Sequence, residues 1–279
     1  MSASKALHFG TAGVPKSSAL PSTLSGIQRI AQLGLDCLEV EFVKGINLGG
    51  ESGQKIRETA RSFQVKLSVH APYYINLNSA EEGKRLASLD RLLSSARMAK
   101  TCGAESVIFH AGYYGRMTPE KTYENIRKGL KDIVSILKQE RNPVVLRPET
   151  MGKRSQFGSL EEILFLCREM EGLLPCIDFS HIHAREGKAN SYTEFVRILK
   201  KIEKKLGSEA MKRMHIHISG ADYNDKGEMK HINLRDSDFL FDDWIQALKD
   251  YGVEGMVICE SPNLEQDAMM LKNIFYSKK

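Results

Sequence analysis

Eight short apolar segments, each followed by a helical pattern, constrain what this chain can fold into. The run Cys176-Ile177 ends at Asp178, and His181 follows three residues later. Runs of this length are typical of buried strands, and between them apolar residues recur with helical spacing. Strict alternation of apolar strands with helices indicates a parallel sheet covered by helices, so we expect an α/β fold.

The predicted units number eight in a chain of 279 residues. Eight units favour a closed (β/α)8 TIM barrel over an open doubly wound sheet. The glycine-rich phosphate loops of open sheets, G-x-x-x-x-G-K-[ST] and an early G-x-G-x-x-G, are missing. With no composition break or linker, we expect a single domain over residues 1–279. The predicted strands cover 7–10, 37–43, 65–70, 106–110, 144–149, 174–178, 214–218 and 256–260, and the predicted helices cover 23–33, 53–63, 81–102, 119–139, 160–170, 192–206, 239–251 and a segment from 264.

Composition limits the classes of protein that this chain can belong to. The chain is 42% hydrophobic and 27% charged, as expected for a soluble globular protein. No stretch approaches the roughly 20 apolar residues of a membrane span, and residues 1–5 lack a secretory signal, so we expect a cytoplasmic protein. The five cysteines lie mostly in apolar surroundings, which favours reduced core residues over disulfides. A net charge of +5 permits a polyanionic partner without requiring one.

Polar side chains of the kinds that bind metals end six of the predicted strands. In a TIM barrel, the C-terminal strand ends surround one mouth, so these side chains should converge there. Imidazoles mixed with carboxylates favour zinc, manganese or iron over calcium, and the set is large enough for two or three ions. The six residues are His70, His110, Glu149, Asp178, His215 and Glu260.

Such a cluster of ions favours phosphoester hydrolysis. Two divalent ions about 3.5–4 Å apart can activate a bridging water and neutralise a phosphodiester during in-line attack. Metal-activated hydroxide needs no protein nucleophile, and the sequence has no G-x-S-x-G signature.

Three segments of the chain resemble the endonuclease IV family of abasic-site endonucleases. The resemblance implies a TIM barrel with a three-zinc centre that hydrolyses duplex DNA 5′ to an abasic site in base excision repair. The segments are His70-Ala-Pro-Tyr-Tyr-Ile-Asn-Leu77, similar to H-x-x-Y-x-I-N-L, Cys176-Ile-Asp-Phe-Ser-His181, similar to C-I-D-x-x-H, and Cys259-Glu-Ser-Pro262, similar to E-[ST]-P.

The same resemblance implies a role for each matching residue. Glu149 would be the catalytic carboxylate that bridges two zinc ions, with manganese as a possible replacement for zinc. His70 and His110 would hold one ion, Asp178, His215 and Glu260 the second, and His181 and His231 the third. Tyr73 and Tyr74 match the position of the side chains that enter the minor groove and displace the abasic nucleotide.

The chain departs from the family pattern in two places. Where the family has D-x-H after the seventh strand, this chain has Met229-Lys230-His231, and Glu228, Asp225 or a nearby histidine would have to replace the carboxylate. His215 and His217 share one face of the seventh strand, and we favour His215 as the ligand.

Other polar residues of the mouth have open roles. His183 could support the third ion or be a polar loop residue. Four basic residues of the mouth loops could contact phosphates, although the loop after the second strand does not resemble the DNA-penetrating loop of the family. These residues are Lys44, Lys153, Arg154 and Arg185.

Two alternative functions remain. A sugar isomerase or epimerase of the xylose isomerase-like superfamily would need one ion, held by the acidic residues and the histidine of the last four strands, and would act by proton transfer. A damage-recognising protein would bind abasic DNA without cleaving it. We expect a monomer with no membrane contact.

Overall fold

Eight parallel strands form a barrel in a computed structural model that describes residues 7–43, 45–187 and 189–277. Around the sheet the strands follow the order β5-β4-β3-β2-β1-β8-β7-β6. The predicted (β/α)8 TIM barrel is confirmed. The barrel strands are β1 (Leu7–Ala12), β2 (Cys37–Glu41), β3 (Lys66–His70), β4 (Ser106–Phe109), β5 (Val145–Pro148), β6 (Cys176–Asp178), β7 (Met214–Ile218) and β8 (Gly255–Cys259).

The barrel closes at a thin seam between β5 and β6. Within the described residues, two isolated bridges connect the chain here, Leu146 with Leu173 and Glu149 with Cys176. The amides of Leu146 and Thr150 donate across the seam, to the carbonyls of Gly172 and Cys176. Pro148 lies between these two donors and has no amide hydrogen, so the ladder lacks a bond there.

Helices alternate with the barrel strands and cover the outside of the barrel. Their ends follow local signals: Thr118 caps α4 with Pro119 in the first turn, and Ser159 and Glu162 form a capping box on α5. The helices are α1 (Thr23–Gln32), α2 (Gly50–Ser62), α3 (Glu82–Cys102), α4 (Pro119–Gln139), α5 (Leu160–Glu169), α6 (Phe179–Glu186), α7 (Tyr192–Leu206), α8 (Ser208–Met211), α9 (Phe241–Asp250), α10 (Glu265–Tyr276) and a 3-10 turn at Leu234–Asp236.

Three elements at the mouth differ from the predicted loops. Helix α6 starts directly after β6, because the side chain of Asp178 accepts a hydrogen bond from the amide of His181. The predicted polar loop after β7 folds into an antiparallel hairpin of Gly220–Asn224 with Gly227–Ile232. A shorter pair joins Gly112–Tyr113 to Gln156–Phe157.

The main core lies between the barrel and the helices, whereas part of the barrel interior is polar. Trp244, Phe9 and Phe179 are among the large side chains that are fully buried. Inside the barrel, a small apolar group of Cys37, Met256 and Ile258, with Ala12 packed against it, occupies only part of the space. Other inward positions carry buried polar groups, among them Glu39, Ser68, Ser106, Arg147 and His215.

All five cysteines are free and buried, as expected from the sequence. Among the residues that the structure describes, no helix combines the length and the apolar character needed to cross a lipid bilayer.

Candidate metal centre

Three groups of histidines and carboxylates meet at the C-terminal ends of the strands. Within each group, one nitrogen or oxygen of every residue lies within 4.8 Å of the others. Strand ends and the first residues after them supply most donors, while α6 and the hairpin after β7 supply the rest. The first group is His70, His110 and Glu149; the second is Glu149, Asp178, His217 and Glu260; the third is His181, Glu228 and His231.

Glu149 belongs to two groups and directs one oxygen to each. Its Oε2 lies 3.3 Å from Nε2 of His70 and 3.2 Å from Nε2 of His110. Its Oε1 lies 3.2 Å from Nδ1 of His217. This is the arrangement of a carboxylate that can bridge two cations.

The third group contains Glu228, a residue that the sequence offered only as one of several substitutes. Its Oε2 lies 3.1 Å from Nε2 of His181, and its Oε1 lies 3.0 Å from Nε2 of His231. Glu228 precedes Met229, which is 52% exposed. The carboxylate therefore comes from the residue before the position that the family pattern indicates, on the same strand of the hairpin.

The preference for His215 as the ligand of the second group does not agree with this geometry. His217 lies at the mouth with Glu149, whereas His215 lies two residues deeper, with its Nε2 3.0 Å from Oε2 of Glu39. Both histidines share a face, as predicted, but they occupy different depths of the barrel. Cys176 lies near both rings, and burial raises the pKa of its thiol to about 12, so it stays protonated.

The rings of His70 and His181 each direct Nε2 towards a carboxylate of the centre and Nδ1 towards a backbone carbonyl. Nδ1 of His70 lies 2.8 Å from the carbonyl oxygen of Ala71, and Nδ1 of His181 lies 2.9 Å from that of Thr150. Because a carbonyl only accepts, each Nδ1 carries the hydrogen and each Nε2 presents its lone pair when the ring is neutral. Metal-binding histidines are generally oriented in this way.

Glu39 lies directly below His217, and the sequence-based prediction did not include it. Oε1 of this fully buried carboxylate lies 2.9 Å from Nε2 of His217, and the hydroxyl of Ser68 donates to Oε2 over 2.6 Å. The available signal was the alternation Glu39-Val40-Glu41, which places two carboxylates on the inner face of an apolar strand.

Burial opposes ionisation throughout the centre, and neighbouring histidines overcome it at Glu149 but not at Asp178. Burial alone would raise the pKa of Glu149, but His217, His110 and His181 hold it well below its usual range. Burial raises the pKa of Asp178 to about 6 despite nearby His181, and its buried Oδ2 makes no hydrogen bond with any described residue. A cation beside Asp178 would satisfy this oxygen, so the donor set fits a divalent metal ion at this position.

Tyr73 and Tyr74 lie at the mouth with different surroundings. The ring of Tyr73 packs 4.9 Å from that of His70 and 5.3 Å from that of His110, and its hydroxyl donates to Glu41 over 3.1 Å. Tyr74 is 60% exposed. Tyr73 therefore forms one wall of the centre, while Tyr74 presents an accessible aromatic ring beside it.

The other polar candidates do not join the donor groups. His183 lies 3.2 Å from a carboxylate oxygen of Asp238, to which Tyr223 also donates. The guanidinium of Arg185 donates to three backbone carbonyls of residues 151–156 and so ties that loop to α6. Lys153 and Arg154 are exposed, and Lys44 lies outside the described residues.

The family model of the xylose isomerase-like TIM barrel matches residues 27–274. An uncharacterized protein of Methanocaldococcus jannaschii is 43% identical over 270 residues, which cover 96% of this chain and 97% of that protein. A probable endonuclease 4 of Mycoplasma pneumoniae is 24% identical over 219 residues, or 76% of this chain and 74% of that protein.

Two solved structures share the fold at low identity. Endonuclease IV from Thermus thermophilus has a TM-score of 0.70 at 18% identity, with 97% of each chain covered. A D-tagatose 3-epimerase-like protein has a TM-score of 0.71 at 22% identity, with 95% of each chain covered. With its barrel, its donor groups at the strand ends and the match over residues 27–274, the chain belongs to the xylose isomerase-like TIM barrel family.

Proposed function

We propose that this protein is a metal-dependent endonuclease that hydrolyses the phosphodiester 5′ to an abasic site in duplex DNA, in base excision repair. The observation that carries this proposal is the third donor group, His181, Glu228 and His231, beside two groups that share Glu149. An enzyme that uses a single metal ion would need only one of these three donor groups, whereas a centre of two or three ions would use two or all of them. The similarity to probable endonuclease 4 proteins supports the same activity.

Each donor group has a part in this proposal. His70 and His110 would hold one ion, Asp178, His217 and Glu260 the second, and the third group another, with Glu149 between the first two. Divalent ions held there would lower the pKa of a bound water and neutralise charge on the phosphodiester. The chain itself contributes a buried, oriented set of donors that needs no rearrangement during the reaction.

Tyr73 and Tyr74 would contact the DNA. Tyr74 is exposed beside the donor groups, so its ring can stack on a base or enter the duplex where the abasic nucleotide leaves the stack. Tyr73 is held by Glu41 and the histidine rings, so it can line the pocket that receives this nucleotide.

The test is incision of a duplex oligonucleotide that contains a single abasic site, by protein loaded with zinc or manganese. We expect a 3′-hydroxyl product, loss of activity with a chelator, and a rate at least about 1,000-fold lower for Glu149→Gln, equivalent to about 4 kcal/mol. Glu58→Gln, at an exposed position of α2, is the matched control. Tyr74→Ala should raise KM more than it lowers kcat.

Metal content distinguishes the proposal from its main alternative. The second donor group alone could serve a single-ion sugar epimerase, and epimerases share the fold. Two or three ions per chain would support the nuclease, whereas one ion with ketose epimerisation and no incision would support the epimerase. Specific binding of abasic DNA without incision, with all sites filled, would indicate a non-cleaving damage-recognition protein.

A further inference from the structure

The N-terminal end of the barrel, opposite the donor groups, contains a buried cation. Arg147 lies on β5 inside the barrel and is only 5% exposed. Its guanidinium donates to the hydroxyl of Ser106 over 2.8 Å and to the carbonyls of Pro175 and Arg213, each over 2.9 Å. These carbonyls precede β6 and β7, so Arg147 holds the starts of two strands together.

None of the oxygens bound to Arg147 carries a full negative charge. Among the described residues, no carboxylate lies within ion-pair distance of its guanidinium, and burial lowers the pKa of Arg147 to about 10. A buried cation is costly unless it is paired with an opposite charge. Three of its five N–H groups have partners, which leaves donors for a further acceptor.

A cavity of about 160 Å³ opens beside Arg147, and most of the charged residues that line it are basic. Lys66, Lys212 and Arg213 line it together with Arg147, whereas Glu105 is the one acidic residue in the lining. Lys66 lies 3.5 Å from Glu105 and Lys212 lies 2.9 Å from Glu209, so Arg213 and Arg147 remain without a carboxylate in the described ranges. The inner wall includes the ring of His215.

We propose that this cavity binds a tetrahedral oxyanion of the phosphate class. A guanidinium with unused donors recognises phosphate oxygens through parallel, charge-assisted hydrogen bonds. The surrounding lysines and Arg213 would add electrostatic attraction. The bound anion would supply the negative charge with which Arg147 is otherwise not paired. The site lies at the opposite end of the barrel from the donor groups, so the inference does not depend on the proposed nuclease activity.

The test is calorimetric titration of the metal-loaded protein with sodium phosphate, against sodium chloride at equal ionic strength. Because phosphate can also bind at the metal centre, two variants separate the sites. The double variant Lys66→Gln/Arg213→Gln, which changes partly exposed residues, should weaken phosphate binding in the cavity at least about tenfold, as expected when a charge-assisted contact is lost. Glu149→Gln changes the metal centre and should leave phosphate binding in the cavity as it was.

Lys55→Gln is the matched control, because Lys55 pairs with Glu51 on α2, away from this cavity. Arg147→Met tests the buried cation directly, with thermal melting to show whether the variant folds. A second titration with a nucleoside monophosphate distinguishes free phosphate from a phosphate ester as the ligand. Equal affinity indicates that the cavity recognises the phosphate group alone. Tighter binding of the nucleoside monophosphate indicates that it recognises a phosphate ester. The proposal fails if neither compound binds, or if the double variant binds phosphate as the unchanged protein does.

Discussion

Glu39 lies behind His217, on the side of the ring away from the other carboxylates of its group. The carboxylate lies 2.9 Å from Nε2, on one side of the ring, while Nδ1 on the other side faces Glu149 and Glu260. A carboxylate behind a metal-binding histidine raises the basicity of the ring and holds its orientation. Glu39 is therefore a positioning residue that acts through His217.

We expect Glu39→Gln to weaken metal binding by about 10- to 100-fold, the usual effect of losing such a partner. Ser68→Ala is the matched control, because it removes one hydrogen bond to the same carboxylate and leaves the charge in place. The measurement is chelator competition with a zinc-sensitive dye, with thermal melting to confirm folding. Equal affinities for the unchanged protein and Glu39→Gln would show that Glu39 has no such role.

Metal affinity should rise with pH up to about pH 9. Burial lowers the pKa of His70 and His231, but Glu149 and Glu228 respectively, with other carboxylates, raise each to about 9. Below that pH the metal-free protein holds protons on both rings, and an ion must displace them. In the metal-free protein, these protons stabilise the fold below pH 6.5, and this contribution is lost as the pH rises through 9.

The measurement is calorimetric titration of metal in buffers of different ionisation enthalpy between pH 6.5 and 9.5. Proton release should be seen at pH 7 and should fall towards zero above pH 9. An affinity that is independent of pH across this range would contradict the assignment of these histidines as ligands.

Most residues of the centre could be predicted because each ends an apolar strand, where a histidine or a carboxylate seldom serves packing alone. This logic placed Glu149 and Asp178 together although they are far apart in sequence. It could not separate His215 from His217, since a period of two gives the face of a strand but not the depth in the barrel. It could not single out Glu228 either, because its position depends on the turn and register of the hairpin after β7.

At the scale of elements, β1 and β2 approach so closely that only glycine fits at one position. A Cβ on Gly10 would lie 1.8 Å from the carbonyl oxygen of Cys37, its partner on β2. The sequence predicted both strands from their apolar pattern, but not this contact. The sequence did not predict helix α6 either. Its start depends on the hydrogen bond from the amide of His181 to the side chain of Asp178, which an apolar pattern does not reveal.

We expect Gly10→Ala to lower the free energy of unfolding by about 2 kcal/mol or more, because the strands must separate to admit the methyl group. Gly50→Ala is the matched control: it lies at the exposed start of α2, has no atom within 4 Å of an added Cβ, and should be neutral or slightly stabilising. Urea denaturation of both variants provides the measurement. A fully stable Gly10→Ala protein would contradict the close packing of β1 against β2.

For the whole molecule, metal ions should contribute to the stability of the fold. Several carboxylates lie buried or largely buried at one end of the barrel, and in the described residues their ion-pair partners are histidines. These carboxylates are Glu39, Glu149, Asp178, Glu228 and Glu260. The donors are assembled only in the folded chain, so binding favours folding.

Removal of the ions should therefore lower the melting temperature by several degrees, since a ligand at 100 times its Kd stabilises by about 2.7 kcal/mol. Differential scanning calorimetry before and after chelation provides the measurement, and added zinc should restore the original value. Glu149→Gln should show a smaller shift. If chelation leaves the melting temperature of the unchanged protein as it was, the donor groups do not bind ions tightly.

The thin seam between β5 and β6 has a consequence for how ions could enter and leave. Glu149 sits on this seam, opposite Cys176, where Pro148 interrupts the backbone ladder and the side chains of Arg147 and Thr150 supply further bonds to residues 175 and 178. Local opening requires far less free energy than global unfolding when few bonds must break. We therefore expect ions to be exchanged by local separation of these two strands, with the other strand pairs of the barrel kept intact.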